Sequence, residues 1–95
     1  MIRKIEEGKS ECILLKIQFL FEDKLMNGYL YCDKGSDTFG NKFWFNIENS
    51  MSKTIIAGIT LRSRNISDQI KNFLYKENIG VRKIKYLYNP LDLDI

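Results

Sequence analysis

The sequence predicts a single α+β domain over residues 1–95: an antiparallel β-meander of four strands, one α-helix packed on one face, then one or two C-terminal strands (ββββαβ). Three observations carry that prediction. Four runs between Cys12 and Leu61 alternate side chains at period 2, the spacing of a half-buried strand. From Ile66 to Leu74 the apolar spacing becomes helical. From Val81 to Tyr88 the alternation returns.

In the first run Ile13, Leu15, Ile17, Phe19 and Phe21 fall on one face, with Lys16 and Gln18 on the other. Glu22-Asp23-Lys24 turns the chain. Met26 to Cys32 reads as the antiparallel partner, with Tyr29 and Tyr31 on one face and Leu30 and Cys32 on the other. Residues 33–41 form a loop by their glycine, aspartate and serine content. Lys42 to Ile47 is the third strand, where Phe43, Phe45 and Ile47 alternate with Lys42, Trp44 and Asn46. After a turn at Asn49 to Ser52, Thr54 to Leu61 is the fourth, with Ile55, Ala57, Ile59 and Leu61 on its apolar face. Short connections favour a meander.

Asn65 or Ser67 is expected to cap the helix, and Asp68 suits the positive end of its dipole. Ile66, Ile70, Phe73 and Leu74 share one face, and Gly80 is expected to end the helix in a left-handed conformation. In the returning strand, Val81 to Tyr88, Ile84, Tyr86 and Tyr88 alternate with Lys83, Lys85 and Leu87. Pro90 should stop it or hold it at an edge. Leu91-Asp92-Leu93-Asp94-Ile95 reads as a short edge strand or a docked end.

A 95-residue chain holds one core and leaves little room for a deep cleft. Its 44% hydrophobic content is ample for that core and argues against disorder. The most apolar stretch, Cys12 to Phe21, is far too short to span a bilayer, so a cytoplasmic protein with no membrane role is expected. Its two cysteines, Cys12 and Cys32, are read as reduced, half-buried thiols. Only one hairpin register would bring them face to face.

There is no histidine, which removes the usual general base, every Ser-His or Cys-His arrangement and the commonest metal ligand. No phosphate-cradling glycine motif appears. The pairs Glu22/Asp23, Asp33/Asp37 and Asp92/Asp94 read as solvated turn acids, and Asp33 to Asp37 lacks the alternating ligands and closing glutamate of a calcium loop. Neither catalysis nor a metal or cofactor is therefore expected, and binding becomes the expected role.

Two surfaces could bind. Arg82, Lys83, Lys85, Tyr86 and Tyr88, followed by Asp92 and Asp94, combine the arginine and tyrosine of protein interfaces with a strip of both charges. An edge strand guarded by lysines would look the same. Tyr29, Tyr31, Phe39, Lys42, Trp44, Arg62 and Arg64 combine aromatic rings with cations, as single-stranded nucleic-acid sites do. A core half-filled by those rings, beneath a solvated face, would also read this way. The net charge of +3 is mild for a duplex-DNA binder.

From Cys12 to Asn78 the order of four strands and a helix resembles the ββββα unit of PUR-type and whirly-type single-strand-binding proteins. That likeness is topological and brings no binding residues with it. In size, in Ile, Lys and Asn content and in its lack of catalytic groups, the whole chain is similar to the small bacterial immunity proteins of contact-dependent growth inhibition and related toxin systems. That resemblance implies a non-enzymatic inhibitor occluding the active site of a cognate toxin, commonly a nuclease; the spacing of Asp92 and Asp94 alone suggests them as phosphate mimics in that reading. The charge of +3 departs from the acidity usual in nuclease inhibitors. A third reading is a subunit that adds its edge strand to a larger sheet.

Overall fold

The computed structural model describes residues 11–33 and 42–95. Five strands and one helix follow in the order β1 (Glu11–Phe21), β2 (Lys24–Asp33), β3 (Phe43–Asn49), β4 (Ile55–Leu61), α1 (Ile66–Lys76) and β5 (Lys85–Tyr88). The strands form one antiparallel sheet in the order β4-β3-β2-β1-β5. Four are the expected meander. The chain then crosses the sheet through α1 and adds β5 on the far side of β1. The expected α+β class and ββββαβ order are both present.

The hairpin between β1 and β2 turns on Glu22 and Asp23, both with positive φ (52° and 66°), the signature of a type I′ turn. Neither is the asparagine or glycine that usually relieves such a turn. The β3–β4 turn is held differently: Asn49 Oδ1 accepts the backbone N–H groups of Met51 (2.9 Å) and Ser52 (3.0 Å).

One face of the sheet meets the helix. Leu15, Ile17, Phe19, Met26, Leu30, Phe45, Ile47 and Leu61 pack there against Ile70, Phe73, Leu74 and Ile79. The Phe73 ring stands edge-on to Phe45, with centroids 6.1 Å apart. Burying these side chains stabilises each by about 1.5–3 kcal/mol relative to exposure, which is what holds the helix to the sheet.

Two bulges alter the expected faces. Between Ile13 and Leu15 the register with β2 shifts, so Ile13 stands opposite Tyr31 while Leu15 stands opposite Leu30. Between Ile47 and Glu48 a second shift sets Ile55 opposite Glu48. Residues directly opposite share a face. Ile13 and Ile55 thus join the face away from the helix, and neither belongs to the core cluster. Alternation in sequence is blind to an inserted residue.

The helix ends correct two further expectations. Asn65 does occupy the N-cap, but in a left-handed conformation and without a side-chain cap bond. Gln69 fastens this connection instead. Its amide exchanges bonds with the Arg62 backbone (3.1 and 2.9 Å) and donates to the Arg64 carbonyl (2.7 Å). At the other end the left-handed residue is Asn78 (φ 62°) and not Gly80. The Ile79 N–H donates to the Leu74 carbonyl (2.9 Å) and the Asn78 N–H to that of Tyr75 (3.0 Å), the bonds of a Schellman motif. The accompanying apolar contact is present, since Ile79 and Leu74 are both in the core.

The returning strand is shorter than expected. Only Lys85 to Tyr88 pair with β1, while Arg82 and Lys83 lie on a turn closed by the Ile84 N–H on the Val81 carbonyl (3.3 Å). A shift in that ladder sets Tyr86 opposite Ile17 and Tyr88 opposite Lys16. The two tyrosines therefore fall on opposite faces, not in one row.

The tail is a docked end, with no sixth strand among the described residues. Leu93 N–H donates to Asn89 Oδ1 and Asn89 Nδ2 donates back to the Leu93 carbonyl, each at 2.9 Å. Ile95 N–H reaches Tyr86 Oη at 2.8 Å, and both Leu93 and Ile95 pack against the core.

Candidate functional site: a basic groove

The aromatic set lies on the sheet face away from the helix. Tyr31 stands opposite Trp44 and stacks on it, with centroids 5.4 Å apart and planes 19° from parallel. Tyr29 follows at 6.1 Å from Tyr31. The three rings are brought together as expected, but mostly to pack on one another: Tyr31 is only 5% exposed, and Tyr29 and Trp44 are half-buried.

Beside them sits a polar network. Asn27, itself buried, accepts from Gln18 Nε2 (3.1 Å) and donates to Tyr29 Oη (3.2 Å) and Ser50 Oγ (3.4 Å). Burial and then the nearby Glu48 carboxylate push the Tyr29 phenol above its ordinary value, against a smaller opposite effect of the Asn27 bond. Glu48, 3% exposed, is pushed above the usual carboxylate range by burial, with Lys53 pulling the other way. Glu48 stands near the β3–β4 turn, and its carboxylate, close enough to act on the Tyr29 phenol, repels phosphate at that end of the face. Lys42, Arg62 and Arg64 are exposed. The β3–β4 register sets Phe43 opposite Leu61, so Lys42 and Arg62 flank one end of the sheet. Phe39 lies outside the described residues.

The second predicted set is divided. Arg82, Lys83 and Lys85 line a groove of about 980 Å³. Tyr86, Tyr88, Asp92 and Asp94 do not line it; they stand on β5 and the tail, where the Tyr86 hydroxyl is bonded to Ile95.

The groove exists because β5 is short. It pairs with β1 only at Lys16 to Gln18, and Lys85 opposite Gln18 is its last rung. Beyond Gln18 the edge of β1 carries no rung to β5, and the space is bounded by the far half of α1 and the Ile79–Lys83 connection. Its walls hold Phe19, Leu20, Leu25, Tyr75, Ile79 and Val81. Large apolar side chains are open here: Tyr75 is 81% exposed and Leu20 67%. Leu20 and Leu25 are direct cross-strand partners, so their exposed side chains form one patch at the hairpin tip.

Charge shares the groove with that patch. Lys71, from the helix, joins Arg82, Lys83 and Lys85, and among the described residues no aspartate or glutamate lines the groove. Among the described residues none of these four cations has an ion-pair partner. Like-signed charges along low-dielectric walls concentrate their field in the space between them.

Sequence reasoning found three of the cations but missed Lys71, Tyr75, Leu20 and Leu25. Signals existed for both groups. Lys71 and Tyr75 are four apart on α1, hence on one helical stripe, beside the apolar one. Leu20 follows Lys16 and Gln18 on the polar face of β1, an apolar residue where solvent was expected.

Among the described residues there is no group of three or more His, Cys, Asp or Glu able to hold a metal ion, and no helix is long and apolar enough to cross a membrane. The chain matches no protein-family model, no curated protein and no solved structure.

Proposed function

We propose that this chain is a non-enzymatic, protein-binding inhibitor of the immunity type, which holds its partner through the groove between α1, the β1–β2 hairpin and the connection into β5. The observation that carries this reading is the combination found there: exposed Leu20, Leu25, Tyr75 and Val81 surrounded by Lys71, Arg82, Lys83 and Lys85, with no acid among them. Interfaces are anchored by such apolar and aromatic groups and oriented by complementary charge. The missing histidine supports a binding rather than a chemical role.

The groove's charge supports a partner of opposite sign. A groove lined by four cations fits an acidic segment carrying an apolar anchor, not the basic, phosphate-binding cleft of a nuclease. Asp92 and Asp94, standing outside the groove, are not needed for this contact. Single-strand binding is the weaker reading, because Tyr31 is buried and Glu48 puts a carboxylate near Tyr29 at one end of the row of rings.

The test is co-purification of the chain with the product of the gene adjacent to its own, followed by titration at rising salt. A stable complex whose affinity falls with salt is expected. No complex with that protein, together with tight binding to single-stranded oligonucleotides, would reverse the order of the two readings.

A further inference from the structure

Cys12 and Cys32 occupy the one register that sets them face to face: they are direct Cα partners across β1 and β2. In an antiparallel pair, opposed Cα atoms stand about 4.5 or about 5.5 Å apart, according to whether the rung is hydrogen-bonded. Disulfides span Cα separations of about 4.4–6.8 Å, so either kind of rung falls within the range the bond needs. Being opposite, the two side chains leave the sheet on the same face. Neither cysteine is in a disulfide; Cys32 is buried, its Sγ 3.8 Å from the Asp33 carbonyl oxygen, and Cys12 is half-buried.

We propose that Cys12 and Cys32 form a dithiol modification site that low-molecular-weight disulfides of the glutathione class convert to an intramolecular disulfide. The more accessible Cys12 sulfur, deprotonated, attacks one sulfur of the reagent, and the reagent's S–S bond breaks to release one glutathione thiolate. The Cys32 thiolate then attacks the Cys12 sulfur of the mixed disulfide and expels the second glutathione. Two protein thiols are oxidised, one reagent disulfide is reduced to two thiols, and the protons lost by the cysteines pass to the released thiolates.

The new bond closes the end of the hairpin opposite the Glu22–Asp23 turn, so β1 and β2 become pinned at both ends. It lies eight residues along β1 from Leu20, about 26 Å at the rise of an extended strand, so the groove is left as it is. This site is independent of the proposed function and stands or falls separately.

The experiment incubates the reduced, full-length protein in glutathione buffers of rising oxidised fraction, then alkylates it and records intact mass. The expected product is a monomer lighter by two hydrogens, with no alkylatable thiol and a higher thermal midpoint than the reduced form. The Cys32→Ser variant should stop at a glutathione adduct on Cys12; if it does not fold, the wild-type mass reading decides. A wild-type protein that ends as stable glutathione adducts or as intermolecular dimers, or keeps both thiols alkylatable throughout, would overturn the proposal.

Discussion

Phe45 packs so closely over Gly28 that a Cβ on residue 28 would lie 2.7 Å from its Cζ, and 2.9 Å from Ile17 Cγ1. Gly28 pairs with Ile17 on one side and Ile47 on the other, in the middle of the sheet. Its missing side chain is the space that the Phe45 ring fills. Gly28→Ala is expected to lower stability by about 1–3 kcal/mol, the usual cost of an overpacked core. Gly80→Ala meets nothing within 4 Å and should change stability by less than about 0.5 kcal/mol. Urea unfolding of the two variants checks both expectations.

The left-handed Asn78 gives a second prediction. Asparagine tolerates this conformation better than most residues, and a β-branched residue tolerates it poorly. Asn78→Val should cost about 1–2 kcal/mol, while Asn78→Gly should be neutral or mildly stabilising. Thermal unfolding of this pair distinguishes a conformational requirement from a side-chain contact.

Glu48 sets a pH dependence. Burial raises its carboxyl above 4.5, so the folded state holds that proton more tightly than the unfolded chain does. Stability from this group is therefore full below 4.5 and is lost as pH rises from there through the raised value. Glu48→Gln should remove that decline and leave the variant relatively more stable at neutral pH. Denaturant midpoints of both proteins across this range check the sign; a wild-type decline that persists in the variant would assign it elsewhere.

Asn89 holds the tail through two bonds to Leu93. Asn89→Ala should destabilise the protein by about 1–2 kcal/mol and raise amide exchange at Leu93 and Ile95. Partner affinity should not change, because no tail residue lines the groove.

Much of the architecture was legible because it follows from local patterning. Phe43, Phe45 and Ile47 alternate cleanly, and so do Leu15, Ile17 and Phe19; the helical stripe of Ile70, Phe73 and Leu74 is equally direct. What escaped was set by pairing. The bulges that move Ile13 and Ile55 are properties of two strands at once, and neither strand records them alone. The groove escaped in part for the same reason. Arg82, Lys83 and Lys85 stand out as a basic cluster in the sequence. That they meet Leu20, Leu25 and Tyr75 depends on β5 docking beside β1 and stopping at Gln18.

Growth rescue in a bacterial host that expresses the product of the adjacent gene tests the proposed inhibitory role of the groove most directly. Three forms of the chain are compared: wild type, Lys83→Glu/Lys85→Glu in the groove, and Arg62→Glu/Arg64→Glu at the far end of β4. All four substituted side chains are exposed, so the fold should tolerate each change. Reversing two charges in a complementary interface is expected to weaken it by about 100-fold or more. Wild type and the Arg62/Arg64 variant should restore growth, and the Lys83/Lys85 variant should not. Rescue that survives the Lys83/Lys85 reversal, or that no form provides, would contradict the groove as the inhibitory surface.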